Sequence, residues 1–154
     1  MTSIGLDLST TNSGLVELHN GVLHKFTLIS PNKEKDIYDR SAEVIENILL
    51  WDIPSNAKIV IESGALYGKG KRNELAMLNG AVFYCLKMKG FDVSMIPPSK
   101  LKKWAVGKGN AKKEDMRAGI APLILETFLN KYKKVDDLID AYFLALWGYS
   151  CLSQ

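Results

Sequence analysis

The sequence has no run of about 18 consecutive apolar residues, which is the length that a membrane-spanning helix requires. Its first residues also lack the basic, apolar and small-residue regions of a secretory signal, so we expect neither export nor a membrane partner. Only two cysteines occur, Cys85 and Cys151, and they do not have the spacing of metal ligands. We therefore expect two reduced core cysteines in a cytoplasmic protein.

Acidic residues are scarce between Gly64 and Lys113. This segment holds eleven basic residues and two acids, which gives it a charge of +9 and leaves −6 for the rest of a chain whose net charge is +3. A cationic segment of this kind is typical of proteins that bind a polyanion. A solvated lysine-rich face would have the same composition.

The 154 residues, 47% of them hydrophobic, are enough for one domain with its own core, spanning 1–154. Hydrophobic periodicity predicts five strands, at 2–7, 13–19, 21–29, 57–63 and 91–98. It also predicts four helices, at 35–51, 71–89, about 112–129 and 136 to about 151. This order predicts an α/β fold with a mixed five-stranded sheet flanked by helices.

The helix predicted at 71–89 is apolar on two sides. One stripe is typical of a core-facing surface and contains Leu75, Leu78, Val82 and Leu86. A second stripe contains Met77, Ala81, Cys85 and Met88. A helix that is apolar around most of its circumference is buried on both sides. The second side is covered either by the same chain or by another subunit, and the sequence leaves both possibilities open.

Acidic residues lie at the ends of two predicted strands and at the start of the last helix. Asp7 ends the first strand and Glu62 the fourth, so their carboxylates would share a sheet edge if these strands are neighbours. The last helix adds Asp136, Asp137 and Asp140 in its first turns, where residues three or four apart share a face. Docking of its apolar remainder on the sheet would bring these aspartates to the same edge.

The helix can present two of its aspartates together, which with Asp7 and Glu62 makes four carboxylates at one site. These cannot all stay ionised unless cations neutralise them. Clusters of oxygen ligands suit Mg²⁺ or Mn²⁺, and two such ions about 3.5–4 Å apart can promote phosphodiester cleavage. Each acid taken alone has an ordinary explanation, such as a favourable helix N-terminal charge for Asp136 and Asp137. Their combination with the cationic segment favours a metal-dependent nuclease.

Four segments along nearly the whole chain form an ordered series: GLDLSTTNSGL, IVIESG, PPSKLKKWAVGKGNAKKEDM and DDLIDAYFLA. Together they resemble the motifs of RuvC-type Holliday junction resolvases, in the ribonuclease H-like superfamily, and most of all its bacteriophage branch. The resemblance implies a homodimeric DNA endonuclease with two Mg²⁺ (or Mn²⁺) ions per active site. It also implies paired nicks in branched DNA, chiefly four-way junctions, in the host cytoplasm if the gene is a phage's.

The resemblance also assigns residues to roles. It implies that the metal ligands are Asp7, Glu62, Asp137 and Asp140, because the spacing D-x-x-D-A selects Asp137 rather than Asp136. The pattern G-x-G-x-A-x-K places a catalytic lysine at Lys113. The other cations of the basic segment are expected to hold DNA phosphates, namely Lys69, Lys71, Arg72, Lys100, Lys102, Lys103, Lys108 and Lys112.

The chain departs from the family's pattern at two points. Leu8-Ser9-Thr10 follows Asp7 in place of a proline-glycine turn, and Ala65 stands where the family has an aromatic residue, a role for which Tyr67 is a candidate. One alternative is a RuvC-like nuclease of the YqgF type that acts on RNA. Others are a DNA-binding module without activity and an actin-like sugar kinase, whose phosphate loop resembles D-L-S-T-T but which needs a second domain.

Overall fold

The computed structural model describes residues 1–64 and 71–153, with the backbone alone for Lys71 and Arg72. Within these ranges one sheet has the strand order β3-β2-β1-β4-β5. Its strands are β1 (Thr2–Asp7), β2 (Ser13–His19), β3 (Val22–Ile29), β4 (Lys58–Glu62) and β5 (Asp92–Ile96). The β1–β2 and β2–β3 pairs are antiparallel, whereas β1–β4 and β4–β5 are parallel. The predicted α/β class and mixed five-stranded sheet are confirmed.

Six helices accompany the sheet in the described part of the chain. They are α1 (Ile37–Leu49), α2 (Lys71–Met88), α3 (Pro98–Val106), α4 (Lys113–Gly119), α5 (Pro122–Leu129) and α6 (Asp136–Leu152). None of the described helices combines the length and the apolar character needed to cross a membrane.

The prediction of one helix at about 112–129 is wrong. Ile120 and Ala121 are extended, and Pro122 begins a separate helix. Proline has no N–H to donate and disfavours a helical conformation in the residue before it, so the break falls there. The strand prediction that ran to residue 98 also missed α3, which starts with Pro98 in its first turn and ends at Gly107, with φ 81°. Proline at the start and glycine after the end are common helix boundaries.

The helices cover both faces of the sheet. On one face α1 and α2 pack on a core that includes Ile4, Leu6, Leu15, Ile59 and Ile61. On the other face α6 packs on a core that includes Val16, Leu18 and Val60, with α3, α4 and α5 around it. This position explains why α6 is apolar around most of its circumference: it lies between the sheet and other helices.

The two apolar stripes of α2 have different surroundings. Leu78, Val82 and Leu86 are each 1% exposed and belong to the core, as predicted. Met77, Ala81 and Cys85 are only partly buried and Met88 is 70% exposed, so the described residues leave the second stripe incompletely covered. Cys151 is exposed and Cys85 partly buried, and both are free thiols. The prediction of two core cysteines is therefore wrong.

Candidate active site

The parallel pairing of β1 with β4 brings two predicted site residues together. Leu6 is paired with Ile61. The next residue of each strand is the acid that ends it, Asp7 in β1 and Glu62 in β4. Because parallel strands end at the same edge of a sheet, both carboxylates lie at the end of the central strand pair.

Two glycines allow α6 to lie directly on the sheet at this edge. A Cβ atom at Gly5 would overlap the carbonyl oxygen of Ala141, and one at Gly14 would overlap the carbonyl oxygen of Asp137. Gly14 is paired with Asp7, so this contact places the first turn of α6 beside the end of β1. The close approach delivers Asp137 and Asp140 to the carboxylates of the sheet.

The electrostatics of Asp7 show that the four acids form one cluster. Burial raises the pKa of Asp7 well above its ordinary value, and the negative charges of Asp140, Glu62 and Asp137 raise it further, in that order. Lys113 is near enough to oppose this effect. The structure thus brings together all five residues that the sequence analysis selected as catalytic.

Glu62 and Asp140 share a further cation. Burial, followed by the charge of Asp140, raises the pKa of Glu62 to about 7, while Lys102 lowers it. Burial also raises the pKa of Asp140 to about 6, against the opposing charge of Lys102. Lys102 was predicted only as a phosphate contact on the DNA-binding surface. The residue is partly buried, and its positive charge also lowers the pKa of two of the four acids.

The structure distinguishes Asp136 from Asp137. The Nζ of Lys113 donates a hydrogen bond to Asp136 Oδ2 over 3.0 Å, and this bond raises the pKa of Lys113. Burial raises the pKa of Asp137, which Lys113 partly offsets, and Asp137 rather than Asp136 acts on Asp7. Asp137 therefore belongs to the buried carboxylate cluster, whereas Asp136 is hydrogen-bonded to Lys113, whose side chain is exposed.

The donor set fits divalent cations that prefer oxygen ligands. The cluster offers carboxylates alone, and burial makes its negative charge costly without cations. Among the described residues, no three of the four acids bring one oxygen each within 4.8 Å of one another. The four acids are therefore spread along the sheet edge in this structure rather than gathered around one point.

A groove runs beside this cluster past the first turn of α6. It has a volume of about 510 Å³, and Asn12, Lys113, Tyr132, Lys133 and Lys134 are among the residues that line it. The hydroxyl of Tyr132 accepts a hydrogen bond from the backbone N–H of Leu28 (3.3 Å), which ties this loop to β3. The sequence analysis did not select Lys133 and Lys134, although K-Y-K-K ends one residue before the acidic start of α6 and is a local basic run.

The predicted DNA-binding cations have different positions in the structure. Four of them are exposed, namely Lys100, Lys103, Lys108 and Lys112. Lys108 has one acidic neighbour, Asp115, at 3.8 Å. Outside the described residues lie Ala65, Tyr67 and Lys69, and for Lys71 and Arg72 only the backbone is described.

With this strand order and helices on both faces of the sheet, the chain has the same fold as two solved structures. The RuvC structure of Thermus thermophilus is 22% identical in sequence, with a TM-score of 0.68, and the match covers 99% of this chain and 97% of that one. The fowlpox virus Holliday junction resolvase is 16% identical, with a TM-score of 0.63 and 99% of both chains covered. No protein-family model and no curated protein matches the chain.

Proposed function

We propose that the chain is a metal-dependent endonuclease that cuts branched DNA, chiefly four-way junctions. The observation that carries this proposal is the meeting of four carboxylates from β1, β4 and α6 with two lysines at one sheet edge. The similarity in fold to two resolvases supports it, and each of those proteins has a structure with Holliday junction DNA bound. Such an enzyme would act in the cytoplasm, that of the host if a phage carries the gene.

Asp7, Glu62, Asp137 and Asp140 are the residues that would hold two Mg²⁺ or Mn²⁺ ions. When bound, these ions supply an activated water and stabilise the leaving oxygen of a phosphodiester. The chain itself contributes partly desolvated carboxylates, which attract cations more strongly than exposed ones do. Their raised pKa values support this assignment, since a bound cation would allow all four to ionise at neutral pH.

The two lysines flank the acids, and we assign them to the negative charge that develops on the reacting phosphate. Lys113 has 71% of its side chain exposed, and an ion pair with Asp136 at such a surface is worth about 1 kcal/mol or less. A phosphate can therefore compete with Asp136 for this ammonium. Lys102 acts on Glu62 and Asp140, which adds a second positive charge beside the acids.

The groove beside α6 is the path that we propose for one DNA strand as it approaches the acids. Lys133, Lys134 and Lys113 line it and are exposed. Lysines bind phosphates without reading sequence, so this path would hold DNA of any sequence. The exposed lysines of α3 and of the loop after it, Lys100, Lys103 and Lys108, would extend the contact.

We propose that the active unit is a homodimer formed through the second stripe of α2. This face exposes Tyr84 (65%) and Met88 (70%), and nothing in the described part of the chain lies within 4 Å of a Cβ placed at Gly80. A two-fold dimer would place two active sites in the symmetry of a four-way junction, which paired nicking requires.

A cleavage assay tests the activity. Labelled junction, duplex, single-stranded DNA and RNA are each incubated with the protein in Mg²⁺ and in EDTA, with Asp140→Asn as the matched inactive variant. We expect Mg²⁺-dependent nicks in the junction at paired positions, and none from the variant. Preferred cutting of RNA would favour the YqgF-type alternative. Junction binding without cleavage in Mg²⁺ would favour a DNA-binding module.

Light scattering tests the assembly. We expect a mass near twice 17.1 kDa for the unmodified protein. Ala81→Glu should give monomers, because it buries a charge that has no partner. Ala118→Glu, at an exposed position of α4, is the control and should keep the dimer. A monomeric unmodified protein would contradict this interface and leave paired nicking without an explanation.

A further inference from the structure

A second cluster of potential metal ligands lies far from the carboxylates described above. One ligand atom from each of Glu17, His19 and His24 lies within 4.8 Å of the others. His19 is paired with the first residue of β1, whereas Gly14, in the same strand β2, is paired with Asp7 at the end of β1. Five residues of extended chain separate His19 from Gly14, which is about 17 Å. The two clusters are therefore separate sites.

Glu17 is a buried carboxylate that its neighbours hold in one orientation. It is 1% exposed, and its Oε2 accepts a hydrogen bond from Trp51 Nε1 (2.9 Å) and faces Lys25 Nζ at 3.3 Å. Its Oε1 lies 2.7 Å from His19 Nε2. Carboxylates that ligate metals are usually oriented in this way, with one oxygen fixed by outer contacts and the other turned to the ligand position.

The histidines supply the second and third ligands. The chain has only two histidines, and both are in this cluster. The rings of His19 and His24 stack with their centroids 3.9 Å apart and an angle of 15° between their planes. His24 is exposed at the start of β3, so its ring has room to turn toward Glu17. Neutral imidazole is the commonest metal ligand in proteins, and two imidazoles with one carboxylate suit Zn²⁺ better than Mg²⁺.

We propose that Glu17, His19 and His24 bind a divalent transition-metal ion of the Zn²⁺ class, with water at the remaining position. The ion would take the place of the hydrogen between Glu17 Oε1 and His19 Nε2, and the neutral imidazole of His19 would then carry its one proton on Nδ1. Two ligand atoms about 2.0–2.1 Å from a tetrahedral ion lie about 3.3 Å apart, so His19 needs only a small movement. The bound ion would clamp the hairpin of β2 and β3, whether or not the chain is a nuclease.

The test uses the imidazole nitrogens as reporters, since the chain has no other histidines. Zn²⁺ is titrated into ¹⁵N-labelled protein at slightly alkaline pH, with excess Mg²⁺ present to occupy the carboxylate cluster. We expect one equivalent of Zn²⁺ to shift the ¹⁵N resonances of both histidines together. Resonances that stay in place, or a shift of one histidine alone, would overturn the proposal.

A pair of exposed positions on β3 supplies the variants. His24→Ala should weaken Zn²⁺ binding roughly 10-fold or more, measured by calorimetry under the same conditions. Val22→Ala, at a position that is 69% exposed on the same strand, should leave the affinity unchanged. Both side chains are exposed, so neither change should prevent folding. Equal affinity of the His24 variant and the unmodified protein would place the Zn²⁺ elsewhere and refute the site.

Discussion

Removing a single negative charge from the carboxylate cluster should stabilise the protein when no metal is bound. Burial and the neighbouring charge of Asp140 raise the pKa of Glu62 from its ordinary value of 4.5 to about 7. Between about pH 4.5 and 7, Glu62 therefore keeps its proton in the folded protein but has lost it in the unfolded chain. Stability falls as the pH rises from about 4.5 to about 7, and the loss is complete above that range. Glu62→Gln keeps the shape of the side chain and has no proton to lose.

The size of the effect follows from the two pKa values. Each pKa unit is about 1.4 kcal/mol, so ionising Glu62 in the fold costs about 3 kcal/mol at pH 8. At about pH 5 this cost falls to about 1 kcal/mol, since Glu62 is still protonated in the folded protein. For a chain of this length 1 kcal/mol corresponds to about 2–4 °C in melting temperature. Glu62→Gln should therefore melt about 6–12 °C higher than the unmodified protein near pH 8.

Thermal unfolding followed by circular dichroism in EDTA measures this difference at both pH values. Glu126→Gln, at an exposed position on α5, is the matched control and should change stability by less than about 0.5 kcal/mol. Adding Mg²⁺ should then stabilise the unmodified protein more than the Glu62 variant, because the variant lacks one ligand. A variant that melts no higher than the unmodified protein at pH 8, or that gains equally at pH 5, would refute the electrostatic reasoning.

Three further outcomes are expected. Asp137→Asn should abolish Mg²⁺-dependent nicking of junctions, whereas Asp136→Asn should retain most of it. Cleavage rates at saturating Mg²⁺ measure the difference, and the reverse result would exchange the roles of the two residues. Lys113→Ala should slow cleavage by about 100-fold or more and weaken junction binding far less, because it removes charge stabilisation at the reacting phosphate; equal losses would make it an ordinary phosphate contact. Gly14→Ala should lower the free energy of urea unfolding by about 1–3 kcal/mol, since its methyl group would overlap the backbone of α6.

The strands and the acids that end them could be predicted from the sequence because both signals are local. A short apolar run that ends in a single carboxylate marks the end of a buried strand, and this pattern holds at Asp7 and at Glu62. Helical spacing alone does not separate Asp137 from Asp136, and the resemblance to the RuvC-type motif D-x-x-D-A is what singled out Asp137. Pro122 is also a local signal, since proline disfavours a helical conformation in the residue before it, but the prediction of one helix at about 112–129 did not use it.

The position of Lys102 could not be predicted, because it depends on how α3 packs against the rest of the chain. In the sequence Lys102 and Lys103 are adjacent lysines with no feature that separates them. In the structure Lys103 is exposed, whereas Lys102 is partly buried and acts on Glu62 and Asp140. Helix α3 was itself absent from the prediction, so the face on which each lysine lies could not be assigned.

Helix α6 can lie close to the sheet because positions 5 and 14 are glycines, which have no side chain. Any residue larger than glycine at position 5 or 14 would push the helix outward, since a Cβ there would overlap the backbone of Ala141 or Asp137. Asp137 and Asp140 would then move away from Asp7, although all of the acids would still be present. The acids stand out in the sequence because their side chains are chemically active, whereas a glycine has no such group. The positions of Asp137 and Asp140 relative to Asp7 nevertheless depend on the backbone contact that the glycines permit. Gly5 and Gly14 are therefore required for the geometry of the cluster, and the carboxylates for its charge.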